Sequence, residues 1–107
     1  MYNLRMVDEV RSKLPEIHEA CRRARVRNLF LFGSAATESF SPLTSDIDLL
    51  VTFEPREVAG FDDVYFQLLA ELGSILGRPI DLVEAHTLRN PYLIASINRT
   101  KQVLYAA

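Results

Sequence analysis

Residues 45–51 read SDIDLLV, an apolar segment with two acidic residues near its start that are separated by one isoleucine. Successive side chains of a β-strand point to opposite faces of the sheet, so Asp46 and Asp48 fall on the same face. The residues that alternate with them face the other way, where a core is expected: Ile47, Leu49 and Val51. The pattern predicts a strand over residues 46–53 with one buried face and one carboxylate-bearing face.

A third acid occurs in a similar strand further along the chain. Residues 78–84 read RPIDLVE, and alternation points Asp81 away from the apolar residues on either side of it. If the two strands are neighbours, Asp46, Asp48 and Asp81 converge. Carboxylates held together repel unless a cation lies between them. Hard oxygen ligands of this kind suit Mg²⁺ or Mn²⁺, and two such ions can clamp a phosphoryl displacement.

A glycine and a serine follow the first apolar strand. Residues 28–32 read NLFLF, and Gly33 and Ser34 come next. Glycine allows a phosphate to approach the main chain, and backbone N–H groups at the start of a helical turn attract anions. The turn at Gly33 and Ser34 is therefore a candidate phosphate site.

Helical periodicity alternates with short apolar runs along the rest of the chain. The expected helices cover residues 4–13, a segment that begins near Pro15, residues 61–76 with Gly77 as the cap, and residues 91–98. The expected strands cover residues 28–32, 46–53, 78–84 and 101–106. This order predicts an α+β fold, an α/β sandwich with a small mixed sheet and helices packed on it.

Length and composition narrow the classes of function. The 107 residues suit a single domain over residues 1–107. A net charge of −2 argues against sequence-independent nucleic-acid binding, which needs a basic excess. No apolar run approaches the roughly 20 residues that a bilayer requires, and the single cysteine, Cys21, excludes an internal disulfide. We expect a cytoplasmic protein without a membrane or direct nucleic-acid partner.

Three motifs in this order resemble the DNA polymerase β-like nucleotidyltransferase superfamily, and most closely its minimal nucleotidyltransferase (MNT) branch. The motifs are LFLFGS at 29–34, SDIDLLV at 45–51 and RPIDLVE at 78–84. The resemblance extends over about residues 4–106 and implies the polymerase β-like fold.

The resemblance also implies roles for the motif residues. Gly33 and Ser34 would contact nucleotide phosphates, and Asp46 and Asp48 would bind Mg²⁺ or Mn²⁺. Asp81 would share a metal and help to deprotonate the acceptor hydroxyl. The implied reaction transfers a nucleoside monophosphate, most often AMP from ATP, to a hydroxyl with release of pyrophosphate. Such catalysis consists mainly of positioning and charge neutralisation.

Stand-alone members of this branch are commonly antitoxins of HEPN/MNT toxin–antitoxin modules. The resemblance therefore implies a HEPN-family toxin as partner, a toxin tyrosine as acceptor, and a homo- or hetero-oligomer. Active members often carry Arg-Gly where this chain has Thr37 and Glu38. That departure leaves open an antitoxin that neutralises its toxin by binding alone. Transfer to a small-molecule hydroxyl is a third alternative.

Overall fold

The structure is a computed structural model that describes residues 8–33, 46–55 and 61–107. Its helices are α1 (Asp8–Arg11), α2 (Leu14–Arg23), α3 (Phe61–Leu76) and α4 (Pro91–Thr100), with a 3₁₀ turn at Ala85–Thr87. Its strands are β1 (Val26–Phe32), β2 (Ile47–Phe53), β3 (Ile80–Glu84) and β4 (Gln102–Ala106).

The described strands form one mixed sheet in the order β3-β2-β1-β4. β1 pairs antiparallel with both β2 and β4, whereas β2 and β3 run parallel. A parallel pair needs a crossover connection, and α3 lies within that connection. The predicted α+β fold with a mixed sheet is confirmed.

One face of the sheet packs against α2 and α3 and forms the main core. The β2 residues predicted to point there are completely buried: Ile47, Leu49 and Val51. Their partners from the helices are buried with them, among them Ile17, Ala20, Cys21, Leu68 and Leu72. The second face of the sheet carries the alternate residues of the same strands. A smaller apolar cluster forms there, from Phe32, Leu50 and Ile97.

Local signals explain where the helices begin and end. Pro15 lies in the first turn of α2, as predicted, where its missing N–H leaves no bond unmade. The side chain of Asn90 accepts hydrogen bonds from the backbone N–H groups of the first turn of α4. Gly77 ends α3 with a φ of 68°, and its N–H donates to the carbonyl of Gly73 at 2.8 Å.

The strands differ from their predicted bounds at their first residues. β1 begins two residues early because Val26 pairs with Phe53 across an irregularity in the register. β3 begins two residues late, at Ile80. Pro79 has no N–H to give to a ladder, although its carbonyl accepts from the N–H of Ile47 at 3.1 Å. The last helix also extends further than predicted, to residue 100.

Within the described ranges, no helix has both the length and the apolar character needed to cross a bilayer. The cytoplasmic location stays a prediction.

The cysteine provides a test of the packing. Cys21 is completely buried, and burial raises the pKa of its thiol to about 12. Because the thiolate is the reactive form, we expect no reaction of the native protein with a colorimetric disulfide reagent at about pH 8. Unfolding in urea should release one thiol per chain. A Ser74→Cys variant, with its added thiol on the exposed side of α3, should react at once and serves as the control. Fast labelling of Cys21 before unfolding would contradict this packing.

Candidate active site

Two carboxylates meet on the second face of the sheet. In the parallel ladder of β2 and β3, Asp48 lies directly opposite Asp81, and neighbouring strands are about 4.8 Å apart. The two carboxyl groups are near enough to interact, because the negative charge of Asp81 raises the pKa of Asp48. The two strands are neighbours, which was the condition for the acids to converge, and their pairing places Asp48 beside Asp81.

The surroundings of Asp48 raise the pKa of its carboxyl group. Burial, then the negative charges of Asp81 and Asp46, and then the hydrogen bond to Asp81 raise the pKa of Asp48 from 3.8 to about 6. All these causes favour the protonated form, because each makes an additional negative charge harder to accommodate. The site therefore holds negative charge that no described side chain neutralises fully.

Asp46 lies immediately before β2 and is exposed. It is close enough for its charge to raise the pKa of Asp48. As the side chains stand, however, no group of three or more Asp, Glu, His or Cys residues among those described has the arrangement of a metal site. The structure thus joins Asp48 to Asp81 and places Asp46 beside them, and the meeting of all three at one ion stays a prediction.

The backbone at Gly33 lies close to the carboxylate of Asp48. Gly33 follows β1 with a φ of 75°, next to Phe32, which pairs with Asp48 across the antiparallel ladder. A Cβ atom built on Gly33 would overlap Oδ2 of Asp48 and lie 3.2 Å from its Cγ. Only glycine allows the main chain to pass this close to the carboxylate. Ser34, Thr37 and Glu38 lie outside the described residues, so the role predicted for Ser34 stays a prediction.

Tyr65, which the sequence analysis did not single out, also supports the site. The hydroxyl of Tyr65 on α3 donates a hydrogen bond to the carbonyl of Leu82, the residue after Asp81. Burial, then the charges of Asp81 and Glu84, raise the pKa of Tyr65. β3 lies at the edge of the sheet formed by the described strands, and this bond ties it to α3. Tyr65 also packs against the core, and that partial burial hid its polar role in the sequence pattern.

The donor chemistry of the acid pair fits a hard divalent cation. Carboxylate oxygens are the ligands that Mg²⁺ and Mn²⁺ prefer. A bound cation would relieve the repulsion among these carboxylates that contributes to the raised pKa of Asp48. The phosphate-binding role of the turn at Gly33 and Ser34 stays a prediction.

A mixed sheet with this placement of acids is characteristic of nucleotidyltransferase domains. Residues 15–107 match the family described as Polymerase beta, Nucleotidyltransferase, and the chain therefore belongs to that family. The predicted family and fold are confirmed.

Individual relatives agree with this assignment. A provisionally named protein adenylyltransferase of Methanocaldococcus jannaschii is 34% identical over 92 residues, which are 78% of this chain and 90% of the relative. A solved structure of a provisionally named minimal nucleotidyltransferase superimposes with a TM-score of 0.73 at 26% identity, over 89% of this chain and 92% of the other.

A complex of the tri-AMPylated Shewanella oneidensis HEPN toxin with an MNT antitoxin also contains a similar chain. The TM-score is 0.62 at 19% identity, over 92% of this chain and 73% of that one. At this identity the likeness shows a shared fold.

Replacement of Asp48 should stabilise the metal-free protein. Because the pKa of Asp48 is raised from 3.8 to about 6, the folded chain holds the proton more tightly than the unfolded chain. The contribution of this group to stability therefore falls as the pH rises through that window. We expect Asp48→Asn to raise the free energy of unfolding by about 1 kcal/mol at about pH 7.5, after allowance for solvent screening.

The gain should disappear near pH 4, where Asp48 is protonated in the folded chain. Urea unfolding at both pH values, with a chelator present, measures it. Glu16→Gln on the exposed side of α2 is the control, and it should not stabilise at either pH. A lower free energy of unfolding for Asp48→Asn at neutral pH would show that the ionised carboxylate of Asp48 does not destabilise the folded chain.

The contact between Gly33 and Asp48 can be isolated with a second glycine. Gly33→Ala and Gly77→Ala both force alanine into a positive φ, which costs roughly 1–2 kcal/mol. Only Gly33 has a neighbour in the way, since nothing lies within 4 Å of a Cβ on Gly77. We expect Gly33→Ala to lower the free energy of unfolding further than Gly77→Ala. In combination with Asp48→Ala, the Gly33→Ala change should cost no more free energy of unfolding than Gly77→Ala. Equal losses for the two glycine variants alone would disprove the close approach of Gly33 to Asp48.

Proposed function

We propose that this chain transfers AMP from ATP to a hydroxyl, that the acceptor is a tyrosine of a HEPN toxin, and that the chain thereby acts as an antitoxin. The observation that carries the proposal is the contact of Asp48 with Asp81 beside the turn at Gly33. The relative named provisionally as a protein adenylyltransferase supports a protein acceptor. The likeness to the chain in complex with an AMPylated HEPN toxin supports the choice of partner.

In the proposed reaction, the acceptor oxygen forms a bond to the α-phosphorus of ATP. The bond from that phosphorus to the oxygen bridging the α- and β-phosphates breaks, and pyrophosphate leaves. Bound Mg²⁺ or Mn²⁺ would neutralise charge on the phosphates. Asp46 and Asp48 would hold the ion, and Gly33 with Ser34 would bind phosphate oxygens.

The acceptor proton needs a base. Among the described residues, Asp81 is exposed on the strand at the edge of the sheet, so its carboxylate is open to an acceptor hydroxyl there. The hydrogen bond from Tyr65 to the carbonyl of Leu82 fixes the backbone next to that carboxylate. A base must lie within hydrogen-bond reach of the proton it accepts, so this support of β3 positions Asp81 for the transfer.

A binding-only antitoxin is the second candidate. The sequence has Thr37 and Glu38 at the positions where active members of the family that it resembles often carry Arg-Gly. An anion in place of a cation beside a triphosphate would weaken nucleotide binding by about 1 kcal/mol or more at a partly exposed position. Such a protein would keep the fold and inhibit its toxin by covering it.

One experiment separates the two candidates. The protein is incubated with α-labelled ATP, Mg²⁺ and the product of the adjacent gene, and transfer of label to that product is measured together with toxin activity. We expect transfer by the unaltered chain, and a loss of about 100-fold or more in Asp46→Asn/Asp48→Asn because the charge-neutralising ion is no longer held. A chelator should abolish transfer in the same way.

Glu16→Gln, which removes an exposed carboxylate far along the chain from the acid pair, is the matched control and should keep full transfer. Neutralisation of the toxin that persists in the double variant, without any transfer by the unaltered chain, would refute the enzyme and favour the binding-only antitoxin.

A further inference from the structure

The last part of the chain differs in charge from the rest. Residues 85–107 contain no Asp or Glu and carry Arg89, Arg99 and Lys101. Residues 1–84 carry 9 cations and 14 anions, a net charge of −5. The acid-free segment includes α4 and β4. We propose that the outward side of α4 docks an acidic surface of a partner protein and that this protein is the HEPN toxin, so the inference rests on the proposed function.

The outward side of α4 carries an aromatic ring and a cation. Ile97 is buried against the sheet and marks the inward side of the helix. Tyr92 and Arg99 are seven residues apart and share the opposite face, with Ala95 between them. All three residues are exposed, and Tyr92 retains 85% of its accessible surface. We call Tyr92, Ala95 and Arg99 the α4 outer face.

The cations of this segment are not neutralised by carboxylates of the described ranges. The ion pairs found there join other side chains. Arg89 donates instead to the backbone carbonyls of His86 and Leu88, at 2.8 and 3.0 Å. The ammonium of Lys101 lies 4.6 Å from the centroid of the Phe30 ring. An acidic partner therefore has cations to pair with and no described ion pair to break first.

The composition of this surface favours a protein over a nucleic acid. Tyrosine and arginine are enriched among the residues that dominate the energy of protein interfaces. The same segment leaves Leu93 42% and Val103 60% exposed, and aliphatic side chains gain nothing from phosphates. Three cations on a chain of net charge −2 provide little of the basic excess that nucleic acids require. The surface suits a protein whose carboxylates surround an apolar centre.

The position of α4 suits delivery of an acceptor. The helix covers the second face of the sheet, the face that carries Asp48. Gln102, just after α4, pairs with Leu31, the neighbour of the residue that pairs with Asp48. The last turn of α4 therefore lies at the end of the sheet that carries the acids, and Tyr92 lies about 10 Å further along the helix than Arg99. A partner held by α4 would lie on the same side of the sheet as Asp81.

The first test measures affinity for the purified product of the adjacent gene by calorimetry. We expect Tyr92→Ala and Arg99→Glu each to weaken binding by about tenfold or more, because they remove an aromatic anchor and reverse a charge. Phe66→Ala on α3 and Arg22→Glu on α2 are the matched controls. They alter an exposed aromatic residue and an exposed arginine on the other face of the sheet. They should change the affinity by less than about twofold.

Salt and label transfer provide two further readouts. Raising NaCl from about 50 to about 500 mM should weaken binding by the unaltered chain, and it should weaken binding by Arg99→Glu less. In transfer from labelled ATP, both variants should raise KM for the partner by about tenfold and leave kcat unchanged, since they remove binding alone. Urea unfolding should not distinguish the variants from the unaltered chain, because both positions are exposed.

The outcomes separate this inference from the proposed function. Transfer to the partner with normal affinity in both variants would overturn the α4 outer face as the docking surface and leave the transferase intact. Weakened binding in both variants, without transfer by the unaltered chain, would support the surface and refute the transferase. No binding of the partner by the unaltered chain would overturn the surface and the choice of partner. Loss of single-stranded RNA binding in both variants, with unchanged affinity for the partner, would show a nucleic-acid surface and overturn the inference.

Discussion

The parallel pairing of β2 with β3 is the constraint on which the rest of the structure depends. It sets Asp48 opposite Asp81 and keeps their side chains beside each other on one face of the sheet. The same strands bury Ile47 and Leu49 completely on the opposite face. The free energy of that burial offsets the repulsion between the acids, so each strand carries a stabilising face and a destabilising one.

Alternation along the strands made much of this predictable. The period of two in residues 45–51 correctly separated the acids from the core residues, and Pro15 and Gly77 correctly marked helix ends. The family resemblance then supplied roles that no spacing could give. The order of the strands followed only conditionally, because a sequence does not say which strands are neighbours.

Other parts of the site depend on contacts between segments that lie far apart in the chain. Nothing near Gly33 in the sequence shows that its backbone will lie against the carboxylate of Asp48. The bond from Tyr65 to the carbonyl of Leu82 has the same character, since an apolar helix face gives no sign of which polar group it will meet. The apolar cluster of Phe32, Leu50 and Ile97 requires the packing angle of α4, which periodicity does not determine.

The crossover through α3 also bears on the order in which the chain folds. β1 and β2 can pair antiparallel before the later helix forms, whereas β3 can join only after the whole of α3 has been bridged. Pairings that close long loops form slowly, because their entropy is lost before their contacts are gained. The loop-closure cost and the repulsion between the carboxylates both oppose early pairing of Asp48 with Asp81. In this order, the apolar pairing of β1 with β2 would form before Asp48 meets Asp81. A cation that binds the completed acid pair would act chiefly by slowing the dissociation of β3 from β2.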